Sequence, residues 1–360
     1  MKNIEAVDPN VKANTLIEAG IRYQSIRTEP FSIYGLCHPE KEVVFRRIPL
    51  EVAKSVSEGV TIIHTAPSGG RIRFRTDSKT ISLKATFASS CIMSIMAVTG
   101  SCCFDIYADG EFSNSFRLSA KPVEPNIRTF DFSAGLEGSY SFEDKKMRDI
   151  LIHFPLYSEV EEVFIGIEED ATILSSTPYK HELPVVFYGS SITMGGCAAR
   201  PGNTYPAVLS RWLDADFINL GFAGNAMGEP EIAEYIANLP MSVFVYDYDC
   251  NAPDAEHLKK THDAMYQIIR KKNPDLPILI LSRPHVKKEN DLREEVIYET
   301  YRKAKEKGEP VFFISGYEMS HLIDPGMFWV DGVHPTDFGF YCMASVILPI
   351  LKKILKRDCS

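Results

Sequence analysis

The hydrophobic period of this chain changes near residue 180, and that change restricts its possible folds more than any other feature. Before it, the sequence is written in period two. Arg71 to Arg75 reads RIRFR and Ile81 to Phe87 reads ISLKATF, alternating apolar and polar residues as half-buried antiparallel strands do. Asp77 and Ser78 between them suit a hairpin turn. In CFDIYADGEFSNSFRL the pair Asp109–Gly110 separates two short strand-like runs, a strong hairpin signal. NIRTFDF, DILIHFPL and EVFIGI continue the series. Many short strands with few helical stretches predict an all-β sandwich or jelly roll over residues 1–178. Residues 1 to about 30 read as a lead-in helix or strand, with neither assigned.

Thr177-Pro178 and Leu183-Pro184 mark a linker, and residues 179–360 follow a different grammar. PVVFYGSS is a short apolar strand running into a turn. DFINLGF, SVFVYDYD, ILILSRP and PVFFIS are further strands. Between and after them come helices over Asp254–Lys272, Asp291–Lys307 and Asp337–Lys353, the first with Leu258, Met265, Ile268 and Ile269 on one face. Alternating strands and helices predict right-handed crossovers and a parallel sheet covered on both sides. Ligand sites in such sheets form at the carboxyl ends of the strands.

Two domains also suit the length of 360 residues, and 45% hydrophobic residues can fill two cores. The net charge of −9 disfavours a phosphate backbone, so nucleic acid is not an expected partner. No apolar run follows the basic start as in a signal peptide, and no stretch is expected to approach the ~20 apolar residues of a membrane span. The eight cysteines are scattered without a CxxC pair, which reads as reduced thiols in a cytoplasmic protein with no membrane partner.

Four blocks carry chemistry. In Gly189-Ser190-Ser191-Ile192 a serine at a strand-to-helix turn stands clear of the sheet with backbone N–H groups near its oxygen, as a nucleophile requires. Ser191 as a plain helix N-cap would give the same pattern. In Asp331-Gly332-Val333-His334-Pro335 the aspartate precedes the histidine by three residues across a glycine turn. That spacing lets a carboxylate orient an imidazole whose other nitrogen faces a serine; a capped turn before the last helix is the alternative. Asn219 to Asn225 and Asp247 to Pro253 each follow a strand. A glycine N–H or an asparagine amide there can donate to an oxyanion, or can be ordinary turn chemistry.

Taken together, in the order serine, glycine, asparagine, aspartate–histidine, the blocks resemble the SGNH hydrolase superfamily, the GDSL esterases and lipases. The resemblance covers residues 183–355. It implies a three-layer α/β/α, flavodoxin-like hydrolase domain behind the β-sandwich. It makes Ser191, His334 and Asp331 the catalytic residues, and the N–H groups of Ser191 and Gly224 with the Asn251 amide the oxyanion hole. Ser190 departs from the family's aspartate beside the nucleophile. Asp249-Cys250-Asn251-Ala252 departs from its Gly-x-Asn-Asp block. A β-sandwich ahead of such a domain is similar to two-domain carbohydrate esterases that remove acetyl groups from plant polysaccharides, and to bacterial acyl hydrolases of the same superfamily.

Other residues are weaker candidates. Arg283, His285 and Arg200 could bind substrate, against surface pairing or loop capping. His257 and His262, five apart on one helix, miss the spacing of a metal pair and read as solvated. Asp247 and Asp249 read as loop caps, Cys197 and Cys250 as small apolar fillers, and Lys287–Glu295 as a solvated helix start. GSSITMGG lacks the lysine of a phosphate loop. The expected activity is hydrolysis of short acyl esters, foremost O-acetyl groups of a carbohydrate, on a small-molecule or oligosaccharide substrate without metal or organic cofactor. Acyl transfer at the same site, carbohydrate binding by an inactive hydrolase domain, and a homo-oligomer are the open alternatives.

Overall fold

The computed structural model describes residues 7, 8, 12, 14–118, 120–124, 127–130, 135–285 and 291–356. They divide into two compact units, 1–46 with 65–177, and 47–64 with 178–360. The change of period near residue 180 places residues 47–64 in the N-terminal domain. In the structure they cluster with the C-terminal unit instead.

The first unit holds β1 (Ile21–Ser25), β2 (Ser32–Tyr34), β3 (Arg71–Thr76), β4 (Thr80–Ser89), β5 (Phe104–Ala108) and β6 (Glu111–Phe116). Then come β7 (Ala120–Glu124), β8 (Ile127–Phe130), β9 (Leu136–Ser141), β10 (Arg148–His153), β11 (Glu159–Glu168) and β12 (Ile173–Leu174). One sheet has the order β1-β11-β4-β9 and the other β12-β3-β10-β5-β6, with β2 also on β3; β7 pairs β8. Both large sheets are antiparallel. Alternate residues of the two sheets meet in one core, Ile81, Leu83, Val163 and Ile165 from one and Ile72, Phe74, Ile150 and Ile152 from the other. That is a β-sandwich, and period two produced it by sending every second side chain inward. Asp109 and Gly110 both have positive φ, 51° and 84°, as a two-residue type I′ hairpin between β5 and β6 requires. The expected hairpin at Asp77-Ser78 does not form. β3 and β4 lie in different sheets, and the turn carries the chain from one to the other. Parts of NIRTFDF and of Lys287–Glu295 lie outside the described residues.

The second unit opens with two short helices, α1 (Leu50–Val56) and α2 (Glu58–Ile63). It continues β13 (His181–Gly189), α3 (Ser191–Met194), α4 (Tyr205–Leu213), β14 (Ala215–Gly221), α5 (Pro230–Ala237), β15 (Val243–Asp247), α6 (Ala255–Lys272), β16 (Ile278–Leu281), α7 (Leu292–Glu306) and β17 (Val311–Ile314). It ends with α8 (Gly316–Ser320), α9 (Pro325–Phe328) and α10 (Asp337–Leu355). The five strands are parallel in the order β14-β13-β15-β16-β17. The first strand in sequence thus lies between the second and the third, the flavodoxin-like order. On one face Val186, Tyr188, Phe244 and Ile278 pack with Ile232 and Ile236 of α5, Leu258 and Met265 of α6 and Ile297 of α7. On the other, Val185, Phe187 and Phe217 meet Leu209 and Leu213 of α4 and Leu351 of α10. Helix α10 is, by length and composition, long and apolar enough to cross a membrane, counter to the expectation that no stretch would be. Half of that stretch is buried here, with Phe340, Met343, Ile347, Leu351 and Ile354 facing inward.

Candidate active site

The strand order reverses between β13 and β15, and a crevice opens at the carboxyl ends of strands at such a point. Ser191 stands just past β13 as the first residue of α3. Ser190, not Ser191, caps that helix, accepting the Ile192 N–H at 3.1 Å. This leaves the Ser191 hydroxyl without a capping task. Its Oγ lies 2.9 Å from His334 Nε2. His334 comes from the loop between α9 and α10, which a backbone bridge between Trp329 and Pro335 closes.

His334 Nδ1 lies 2.8 Å from Asp331 Oδ2. The other carboxylate oxygen accepts the backbone N–H groups of Val333 at 3.0 Å and His334 at 2.8 Å. Burial opposes the charge of Asp331. The hydrogen bonds from His334 and Val333 outweigh it and bring the carboxyl down to about 2. An ionised Asp331 beside Nδ1 favours the tautomer with its proton there, which would leave Nε2 as the acceptor facing the serine. Ser191, His334 and Asp331 therefore form one hydrogen-bonded chain able to take a proton from the hydroxyl.

The glycine and asparagine blocks flank this chain in the fold. Gly224 sits in the turn after β14, exposed, with φ +70° and open space where a side chain would stand. Asn251 follows β15 and donates from Nδ2 to the Phe222 carbonyl at 2.9 Å. A cavity of about 740 Å³ is walled by the chain neighbours of Ser191, Asn251 and His334, namely Ile192, Cys250 and Val333, and by Arg283, His285, Arg293 and Trp329 among others.

Arg283 and His285 are thus on the cavity wall. Arg283 pairs with Asp291 at 3.1 Å, and His285 with Glu294 at 2.9 Å. Burial resists the charge of Glu294, but hydrogen bonds from His285, Ser282 and Ser315 bring it down to about 2. Arg200 is not among the cavity-lining residues and donates to Asn203 Oδ1 at 3.0 Å. Cys250 lines the cavity with its thiol pushed up to about 12 by burial, and burial with the nearby Asp331 charge raises Cys197 to about 11. Both remain neutral thiols.

Asp247 and Asp249 are both buried; Asp249 Oδ1 accepts the Arg283 backbone N–H at 3.0 Å, a loop cap as expected, whereas Asp247 binds side chains. Asp247 accepts from Thr193 Oγ1 at 3.0 Å and Tyr205 OH at 3.1 Å, and burial raises its carboxyl well above the ordinary range. Burial raises Asp249 to about 6 against the pull of Arg283. His257 bonds the Met227 carbonyl at 2.7 Å. His262 is buried instead of solvated, bonded to Thr300 at 2.8 Å and stacked 4.4 Å from the ring of Tyr246. Among the described residues no group of three or more His, Cys, Asp or Glu is placed to hold a metal.

Arg293 was not singled out in the sequence. From α7 it lines the cavity and donates to the carbonyls of Asp249 at 2.8 Å, Ala252 at 2.5 Å and Pro253 at 2.8 Å. It sits in a charged run that reads as a solvated helix start, so no local signal marks it.

Residues 182–352 match the model of the GDSL-like lipase/acylhydrolase family, and residues 21–173 match that of the N-terminus of SGNH-hydrolase-type esterases. No curated protein matches the chain. Among solved structures, a protein from Bacteroides ovatus ATCC 8483 described as a GDSL-like lipase is 26% identical, with a TM-score of 0.77 over 93% of this chain and 98% of its own. The salicylyl-acyltransferase SsfX3 of a tetracycline biosynthetic pathway is 18% identical, with a TM-score of 0.73 over 91% and 96%. An acetyl xylan esterase from the rumen bacterium Butyrivibrio proteoclasticus is 14% identical, with a TM-score of 0.59 over 94% and 99%. Each family model falls on one part of the chain: the parallel α/β part is a domain of the GDSL-like lipase/acylhydrolase family, and the β-rich part is the N-terminal domain of SGNH-hydrolase-type esterases.

Proposed function

We propose that this chain is a serine esterase acting on short acyl esters, with O-acetyl groups of a carbohydrate as the leading substrate class. The observation that carries the reading is the unbroken relay from Ser191 Oγ through His334 to Asp331, with hydrogen bonds of 2.9 and 2.8 Å. In the proposed reaction His334 Nε2 takes the hydroxyl proton while Ser191 Oγ attacks the ester carbonyl carbon. The carbonyl electrons move onto oxygen, which accepts hydrogen bonds from the N–H groups of Ser191 and Gly224 and from the Asn251 amide. The tetrahedral centre collapses, and His334 returns the proton to the departing alcohol. Water then attacks the acyl-serine, with His334 again as base, and releases the acid.

The cavity is in the ~300–1,000 Å³ range of small-molecule pockets, far more than an acetyl group fills. A sugar ring on the alcohol side would use that space, with Arg283, His285 and Asp291 facing its hydroxyls. Fold likeness to an acetyl xylan esterase is consistent with this choice. Transfer of the acyl group to an alcohol is the second reading, favoured by the fold shared with a salicylyl-acyltransferase. The complete set Ser191, Gly224, Asn251, Asp331 and His334 speaks against an inactive binding domain.

The test is hydrolysis of p-nitrophenyl acetate, butyrate and octanoate by the wild type and by Ser191→Ala. Loss of the nucleophile should cost on the order of 10⁴-fold or more in kcat. A variant that retains the wild-type rate rejects the mechanism. Adding methanol separates the two readings, since a transferase forms methyl ester in preference to free acid.

A further inference from the structure

One of the proposed oxyanion donors lies on a turn gripped by residues 47–64. Phe222 to Asn225 form this turn, closed by the Asn225 N–H on the Phe222 carbonyl at 2.8 Å. Gly224, its third residue, has φ +70°, while Ala223 is not among the positive-φ residues, the pattern of a type II turn. Type I and type II turns differ by a flip of the central peptide, here the one joining Ala223 to Gly224. In a planar trans peptide the C=O and N–H point in opposite directions. Whatever holds the Ala223 carbonyl therefore aims the Gly224 N–H.

That holder is the side chain of Asn225, whose Nδ2 donates to Ala223 O at 2.7 Å. Behind Asn225 stands Gly59 of α2. A Cβ at residue 59 would lie 1.7 Å from Asn225 Oδ1, so only glycine leaves the amide in place. Arg47, at the start of the same segment, is buried. It donates to the carbonyls of Gly221, of Asn219 at 3.3 Å and of Ile63 at 2.9 Å, and its guanidinium lies 4.8 Å from the Phe222 ring centre. The segment thus fastens both the strand end and the turn.

We propose that Asn225 is a positioning residue that locks the Ala223–Gly224 peptide in the orientation presenting its N–H to the oxyanion, with Gly59 holding the amide in place. The proposal rests on the oxyanion role given to Gly224 above.

The experiment uses the full chain as wild type, Ser191→Ala, Asn225→Ala and Gly59→Ala, with p-nitrophenyl acetate and its thiono analogue, in which sulfur replaces the carbonyl oxygen. Sulfur accepts a hydrogen bond poorly, so an aimed donor favours the oxygen ester and a misaimed one does not. Asn225→Ala should lower kcat on the oxygen ester about 10-fold or more with little change in KM, and shrink the oxygen-to-sulfur rate ratio. Gly59→Ala should shift both in the same direction. Labelling of Ser191 by a fluorophosphonate corrects for the folded fraction. If the ratio stays at the wild-type value in Asn225→Ala while Ser191→Ala is inactive, the positioning role is wrong and the esterase reading stands. If the wild type turns over no ester, the esterase reading falls, and this proposal with it.

Discussion

Asn251 Nδ2 donates to the carbonyl oxygen of Phe222 at 2.9 Å, which ties the loop after β15 to the turn after β14. One amide hydrogen is committed to this bond and the second remains for a ligand. The same bond restrains the side chain before any substrate arrives, which is the preorganisation that makes a donor effective in a transition state. Replacing Asn251 by alanine is expected to lower kcat by about 10²–10³-fold with a much smaller change in KM. Asn251→Asp should do no better, because a carboxylate offers no donor and would face the Phe222 carbonyl. Steady-state kinetics on p-nitrophenyl acetate decide it. A change confined to KM would remove Asn251 from the oxyanion site and leave it as a loop tie.

The serine, glycine and asparagine blocks were legible because each follows an apolar strand, and parallel strands bring their carboxyl ends to one edge; the Asp331–His334 block follows the short helix α9 instead. Ser191, Asp331 and His334 also lie close to short-range signals, a cap and a glycine turn. What escaped was non-local. Arg47 meets Asn219 and Gly221 across more than 170 positions, and no pattern around residue 47 hints at it. Period two told which side chains of β3 and β4 point inward but not that the two strands belong to opposite sheets. His262 and Arg293 sit in charged stretches, where a polar residue that turns inward looks like its solvated neighbours.

Asp331 gives a stability signature in acid. Its carboxyl is held at about 2 by hydrogen bonds that exceed the burial cost, below the unfolded value of about 3.9. A lowered carboxyl stabilises the fold above its unfolded value, and the contribution is lost as pH falls toward 2. Urea midpoints of the wild type and Asp331→Asn should therefore differ most above about pH 4 and converge below it. A gap that persists unchanged to pH 2 would mean that the asparagine acts through packing instead of lost charge. In the neutral range the same variant should lose activity by orders of magnitude, since the wrong imidazole tautomer faces Ser191.

His262 should impose a second pH dependence with the same sign. Burial pushes it down to about 3, whereas an unfolded histidine titrates near about 6.5. Between those values the unfolded chain binds a proton that the folded chain refuses, so stability is full above about pH 6.5 and declines as pH falls toward 3. His262→Phe keeps a ring against Tyr246 but leaves the Thr300 hydroxyl unpaired, at a cost of about 1–3 kcal/mol. The variant is expected to be less stable than the wild type at pH 8, with the gap narrowing by pH 5. Urea denaturation at the two pH values checks this, and a constant gap would contradict a neutral buried imidazole.

Arg293 offers a test of how the Asn251 loop is held. Its guanidinium reaches the carbonyls of Asp249, Ala252 and Pro253, which bracket Asn251 on both sides. Three carbonyls on one planar fork fix a loop that has few backbone bonds of its own, and an ammonium group cannot reproduce the fork. Arg293→Lys should therefore fall in kcat by about 10-fold despite retaining the charge, because a misplaced donor costs rate even when the substrate still binds. Arg293→Met should fall further, and Asn251→Ala added to either should cost less than it does alone, since the two changes act on the same donor. If Lys restores the wild-type kcat, the positive charge in the cavity matters and the fork does not. If both variants raise KM alone, Arg293 contacts substrate directly and the loop stands without it.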